Sequence, residues 1–97
     1  MGKYDVVSTG RFKKELKRAL KRGMQLSNLY EVVDCLGEGR ELPAKHHNHL
    51  LHGDYDGLWE CHITPDWLLI YEKSDVIRVI TLLRTGTHSD LFGKTRR

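Results

Sequence analysis

The stretch Leu58-Trp59-Glu60-Cys61-His62-Ile63-Thr64-Pro65-Asp66-Trp67-Leu68-Leu69-Ile70-Tyr71-Glu72 contains two strands and the turn between them. From Leu58 to Ile63 the residues alternate. Trp59, Cys61 and Ile63 share one face, and Leu58, Glu60 and His62 share the other. Thr64-Pro65 turns the chain, because proline fixes φ and has no backbone donor to continue a ladder. Trp67 to Glu72 returns as a run that is apolar on both faces, the pattern of a central strand. A hairpin of this kind pairs His62 with Asp66 or Trp67, according to its register. Either pairing brings an imidazole and a carboxylate close together.

Working outward, Ser74-Asp75 forms the next turn and Val76 to Leu83 the last long strand. Gly86 breaks it, and Ser89 to Phe92 reads as one helical turn or a short edge segment, with Lys94 to Arg97 a basic tail. On the N-terminal side, His46 to Leu51 reads as a strand, and Gly53-Asp54-Tyr55-Asp56-Gly57 as a turn-rich link. Tyr4 to Ser8 is a short strand with Val6 and Val7 inside. Ser8 or Thr9 then caps a helix whose apolar stripe is Phe12, Leu16, Ala19 and Leu20, and Gly23 ends it. Ser27 is expected to cap a second helix with Leu29, Tyr30, Val33 and Leu36 inward, Glu31 and Asp34 outward, and Gly37 and Gly39 as its stop. The order β-α-α-β-β-β-β predicts an α+β domain over residues 1–97. In it, an N-terminal strand and a helical hairpin pack on a twisted, largely antiparallel sheet of about four to five strands. The sheet's other face is then free for function.

The 97 residues with 39% hydrophobic content suffice for one modest core. A net charge of +3 is weak evidence for acidic partners, but its placement is stronger evidence. Arg11, Lys13, Lys14, Lys17, Arg18, Lys21 and Arg22 crowd the first helix against a single acid, Glu15. So lopsided a helix is expected to face a polyanion or an acidic protein. Cys35 and Cys61 form no CxxC pair and read as reduced, buried thiols. No apolar stretch is long enough for a signal sequence or a bilayer span, so a cytoplasmic protein without a membrane partner is expected.

Four of the six histidines fall in His46-His47-Asn48-His49-Leu50-Leu51-His52. On a strand, His47 and His49 share one face while His46 and His52 lie on the other, so they do not converge on one ion. No metal site or cofactor is expected. A second set fits another chemistry. His62 and Asp66 flank the hairpin turn, and Arg84-Thr85-Gly86-Thr87-His88-Ser89-Asp90-Leu91-Phe92 adds a guanidinium, an imidazole and an aromatic ring. Metal-free cleavage of RNA needs a base for the 2′-OH, a cation for the phosphoryl oxygens and an acid for the leaving 5′-oxygen. Histidine serves as base or acid near neutral pH, and arginine's planar fork suits phosphate. Phe92 or Trp67 is placed to stack on a base, although Trp67, opening a central strand, reads more readily as core.

Three pieces of the sequence together resemble the YafQ branch of the RelE/ParE superfamily of bacterial toxin–antitoxin toxins. They are Leu42-Pro43-Ala44 leading to His49-Leu50-Leu51-His52-Gly53; His62-Ile63-Thr64-Pro65-Asp66-Trp67 with Leu69-Ile70-Tyr71; and Arg84-Thr85-Gly86-Thr87-His88 with Leu91-Phe92. The resemblance implies a RelE-like fold and a metal-independent endoribonuclease that cuts mRNA in the ribosomal A site. It also implies a cognate antitoxin as partner. Carried over by motif, His49, His62, Asp66 and His88 match catalytic positions, and Arg84 and Phe92 match residues that support phosphate and base. Glu60 is a secondary candidate. The resemblance gives Lys13, Lys14, Lys17 and Arg18 a reason as contacts to rRNA or to an acidic antitoxin segment. The competing expectations are a toxin of the same fold with another target, such as a topoisomerase, and a non-catalytic nucleic-acid-binding module.

Overall fold

The computed structural model describes residues 3–93, so the basic tail Lys94 to Arg97 lies outside the described residues. Strand β1 (Asp5–Ser8) leads into helices α1 (Gly10–Lys21) and α2 (Leu26–Gly37). After them come β2 (His49–Leu50), β3 (Trp59–Thr64), β4 (Trp67–Ser74), β5 (Val79–Gly86) and α3 (His88–Phe92). One-turn 3-10 helices at Ala44–His46 and Gly53–Tyr55 flank β2. The five strands form one sheet in the order β1-β5-β4-β3-β2. Strands β1 and β5 pair in parallel; the other neighbours are antiparallel. The expected α+β architecture is therefore present, with a mixed sheet.

Thr9 is the cap of α1: its hydroxyl accepts from the Phe12 N–H at 3.0 Å. Helix α2 corrects the expected phase. It starts one residue before Ser27, from Gln25, which makes no side-chain cap. The inward residues are Leu29, Val32, Cys35 and Leu36, while Tyr30 is exposed. Both helices make their main contacts with the sheet, α1 on β5 and α2 on β3 and β1. Phe12, Ala19 and Val32 meet Cys61, Ile63, Trp67, Leu69, Tyr71, Ile80 and Leu82 there to form the core. Trp67, fully buried, is thus core and not a stacking surface.

The opposite face is less free than expected. Leu68, Ile70 and Leu91 form a second, smaller cluster, packed by Leu51, Tyr55, Leu58 and Leu83, so α3 and the Gly53–Tyr55 turn cover part of it. Two boundaries also move. The expected strand from His46 shrinks to His49–Leu50 because Pro43 opens a 3-10 turn and His47 takes a left-handed φ of 47°, which no strand accommodates. Val76 and Ile77 leave the last strand for an exposed turn, in which Arg78 is also left-handed (φ 59°). Among the described residues, no helix is long and apolar enough to cross a membrane.

Candidate active site

The β3–β4 hairpin holds the first half of the site. A bulge between His62 and Thr64 shifts the register, so His62 pairs with Leu68 and Thr64 with Trp67. The expected pairing of His62 with Asp66 or Trp67 is therefore corrected by one residue or more, and Asp66 lies exposed in the turn itself. His62 stands half-buried on the face opposite the helices.

Helix α3 holds the second half. Its capping box is complete: the Asp90 N–H donates to the Thr87 hydroxyl, and the Thr87 N–H donates to Asp90 Oδ2 at 3.0 Å. Arg22, capping the end of α1, donates to the same Oδ2 at 2.7 Å. These bonds hold the Asp90 carboxyl down at about 2, Arg22 contributing most. Gly86 permits the close approach, since a Cβ there would lie 2.8 Å from Asp90 Cβ. His88, the first residue of this anchored helix, therefore has a fixed place. Its ring meets that of His62 edge to face, centroids 6.3 Å apart, and that of Phe92 at 5.6 Å. Phe92, at 38% exposure, has its other side against Tyr55 at 5.7 Å.

His49 pairs across the sheet with Glu60. Its Nδ1 lies 2.6 Å from the His47 carbonyl, which only accepts, so Nδ1 carries hydrogen. Its Nε2 lies 3.3 Å from Glu60 Oε1. Glu60 is only 4% exposed, and its Oε2 is one of two buried side-chain polar atoms without a partner among the described residues. Burial lowers the His62 pKa below its usual 6.5; Glu60 opposes this, while His47, His88 and His49 add to it. Burial thus favours the neutral form of the His62 ring.

Arg84 is engaged more deeply than its sequence context suggests. Its Nε and Nη2 donate to Glu15 of α1, at 3.1 and 2.5 Å from Oε2, and its Nη1 donates to the Tyr55 hydroxyl at 3.2 Å. Glu15 also accepts the Thr85 N–H at 3.1 Å. Burial pushes the Glu15 carboxyl up, but the bonds from Arg84 and Thr85 outweigh it and hold the group below its ordinary 4.5. Arg84 reaches the histidines indirectly, through Tyr55 and Phe92. Lys14, Lys17 and Arg18 line a surface groove of about 640 Å³ along α1 that ends at Glu15 and Arg84. Lys13 is exposed on the same helix.

Two participants escaped the sequence reading. His47, set aside there, brings its ring within 5.2 Å of His62 because of the left-handed turn that no local pattern announces. Glu15, read only as the single acid on a cationic helix, is a buried anchor; a single carboxylate at an inward position among cations was the available signal. His46 is buried and structural, its Nδ1 2.6 Å from the His62 carbonyl, and His52 is solvated. Among the described residues, no three His, Cys, Asp or Glu side chains are grouped to hold a metal ion.

The chain and its fold have counterparts in known proteins. The chain is 36% identical over 90 residues to the mRNA interferase toxin YafQ of Escherichia coli K12, covering 92% of this chain and 96% of that one. A chain of the crystallised E. coli DinJ–YafQ toxin–antitoxin complex superposes with a TM-score of 0.85 at 35% identity, over 94% of this chain and 99% of that one. A toxin from Helicobacter pylori, crystallised with metal bound, gives 0.85 at 36% identity, over 92% and 99%. The described residues of this chain do not offer the donor grouping that would fit such an ion. The family model for YafQ, a bacterial toxin of type II toxin–antitoxin systems, matches residues 4–93, and the chain belongs to that family.

Proposed function

We propose that this chain is an endoribonuclease that cuts mRNA in the ribosomal A site by acid–base catalysis, and that a cognate antitoxin neutralises it. The observation that carries the reading is the convergence of His62 from β3 and His88 from α3, with Phe92 beside them. Neutral His62 takes the proton of a 2′-OH. The 2′-oxygen bonds to the adjacent phosphorus in line as the bond to the 5′-oxygen breaks. His88 gives that oxygen its proton, leaving a 2′,3′-cyclic phosphate and a 5′-hydroxyl end. Each proton transfer contributes roughly 10²–10⁴-fold.

His49, its ring held between the His47 carbonyl and Glu60, contacts the phosphate. Glu60, only 4% exposed, holds the His49 ring through Oε1 and is a positioning residue. Asp66, exposed at the turn beyond His62, positions the substrate. Arg84 keeps two of its five N–H groups for a phosphoryl oxygen after serving Glu15 and Tyr55. Phe92 stacks on a base. Lys13, Lys14, Lys17 and Arg18 dock on rRNA phosphates, and the ribosome places the action in the cytoplasm.

The test is inducible expression of the wild type and of His88→Ala, with mRNA 5′ ends mapped. His88 is exposed, so its loss leaves the fold intact. Growth arrest with new cleavage sites that vanish in the variant, and cleavage in vitro that persists in EDTA, are expected. Arrest by the variant without mRNA cuts would move the activity to another target.

A further inference from the structure

A cleft of about 710 Å³ on the helix side of the sheet has no part in the chemistry above. Its volume falls within the roughly 300–1,000 Å³ of small-molecule sites. Arg40, His47, Asn48, Trp59, Tyr71 and Lys73 line it, with Glu41 as its acid. Three features decide what it fits. Trp59 is half-buried, its ring lying nearly parallel to that of Tyr71 at 6.4 Å, and so keeps exposed aromatic surface. The Tyr71 hydroxyl donates to Asn48 Oδ1 at 2.6 Å, which leaves the Asn48 amide hydrogens for a ligand. Arg40 and Lys73 supply cations at the rim, the Lys73 ammonium also lying 5.2 Å from the Tyr4 ring.

The cleft, on the other face of the sheet, meets the active site at one residue, His47. His47 lines it, and the His47 ring is 5.2 Å from that of His62. A single strand that bends past His47 from the scissile phosphate can reach the cleft. We propose that this cleft is a nucleotide subsite, holding one base of the RNA against Trp59, its edge on Asn48 and its phosphate on Arg40 and Lys73. The inference rests on the ribonuclease reading above. A protein segment is the weaker occupant, because the lining joins an aromatic face to two cations and includes His47, the neighbour of His62.

The chain carries its own reporter. Trp67 is fully buried, so quenching of tryptophan fluorescence by a base reports Trp59. The probe is a 2′-O-methyl oligoribonucleotide, which cannot be cleaved because its 2′-oxygens are blocked. Saturable quenching is expected with wild type and His88→Ala alike. Arg40→Glu, a change at an exposed residue, weakens it about tenfold and raises KM for mRNA with kcat nearly unchanged. Trp59→Leu weakens binding roughly 5- to 100-fold, followed by a label on the oligonucleotide. Absent quenching, quenching indifferent to Arg40→Glu, or quenching by a glutamate-rich peptide but not by RNA would each overturn the subsite. Loss of the nuclease reading shows separately, as growth arrest without mRNA cuts.

Discussion

Glu15→Ala tests whether the buried pair between α1 and β5 secures the site. Glu15 is 7% exposed and Arg84 13%, and the carboxylate takes bonds from Arg84 Nε and Nη2 and from the Thr85 N–H. Removing it leaves a guanidinium with only the Tyr55 hydroxyl and strands the N–H of a fully buried residue. Breaking a buried pair from one side costs about 3–5 kcal/mol. Arg84 opens onto the α1 groove, where water can reach it, so the lower end applies, about 3 kcal/mol. At about 4–8 °C per kcal/mol in a domain this size, Tm falls by about 12–24 °C. Thermal unfolding at pH 7, with urea midpoints as a check, measures this. The pH dependence has a definite sign. The folded carboxyl is held below 4.5, so its contribution is complete above pH 4.5 and lost as pH falls through the folded value. Glu15→Ala flattens that acid limb. The double variant Glu15→Leu with Arg84→Met regains most of the stability without regaining full cleavage. A loss under about 1 kcal/mol, as for a surface pair, would refute the reasoning.

Three further outcomes are expected. Because the His62 pKa is lowered and Glu60 opposes the lowering, the acid limb of the cleavage profile has its midpoint below pH 6.5, and Glu60→Gln moves it lower still; an upward shift in single-turnover rates would remove His62 as base. Asp90→Asn weakens the bond to Arg22 and the α3 cap, costing on the order of 2 kcal/mol at neutral pH, and it abolishes the part of wild-type stability that is lost as pH falls from about 4 towards 2; unchanged acid unfolding curves would sink this. Reversing Lys13, Lys14, Lys17 and Arg18 to Glu weakens ribosome binding and reduces its salt slope by about 1 for each phosphate no longer neutralised, with the fold intact by circular dichroism; equal affinity and slope would refute the docking role.

The central hairpin was legible because its pattern is set locally. Trp67 to Tyr71 is apolar on both faces, and only a middle strand buries both. The capping of α1 by Thr9 and the turn at Ser89 to Phe92 follow from short-range chemistry in the same way. The α2 phase failed because Ser27 offered a better cap than Gln25, yet the packing of Val32 and Cys35 chose the start. The histidine-rich loop failed for a different reason. His46 is held by the carbonyl of His62, sixteen residues on, and that long-range bond outweighs strand preference. In the site, the grouping of His62, His88 and Phe92 was foreseen in composition and motif, whereas Glu15 and His47 owe their places to contacts between distant elements.

The order β1-β5-β4-β3-β2 has a consequence for biosynthesis. The strand that joins β1 to the rest is the last of the five to be made, and α3, with His88, follows it. Until residues 79–92 have emerged from the exit tunnel, β1 has no neighbour and α1 lacks the surface it covers. Contacts of such long sequence separation form slowly and late. At roughly 5–20 residues per second, translation leaves an interval of seconds in which the nascent toxin is inert. The site therefore assembles only after β5 and α3 have been made, and an antitoxin already present has that interval to arrive first.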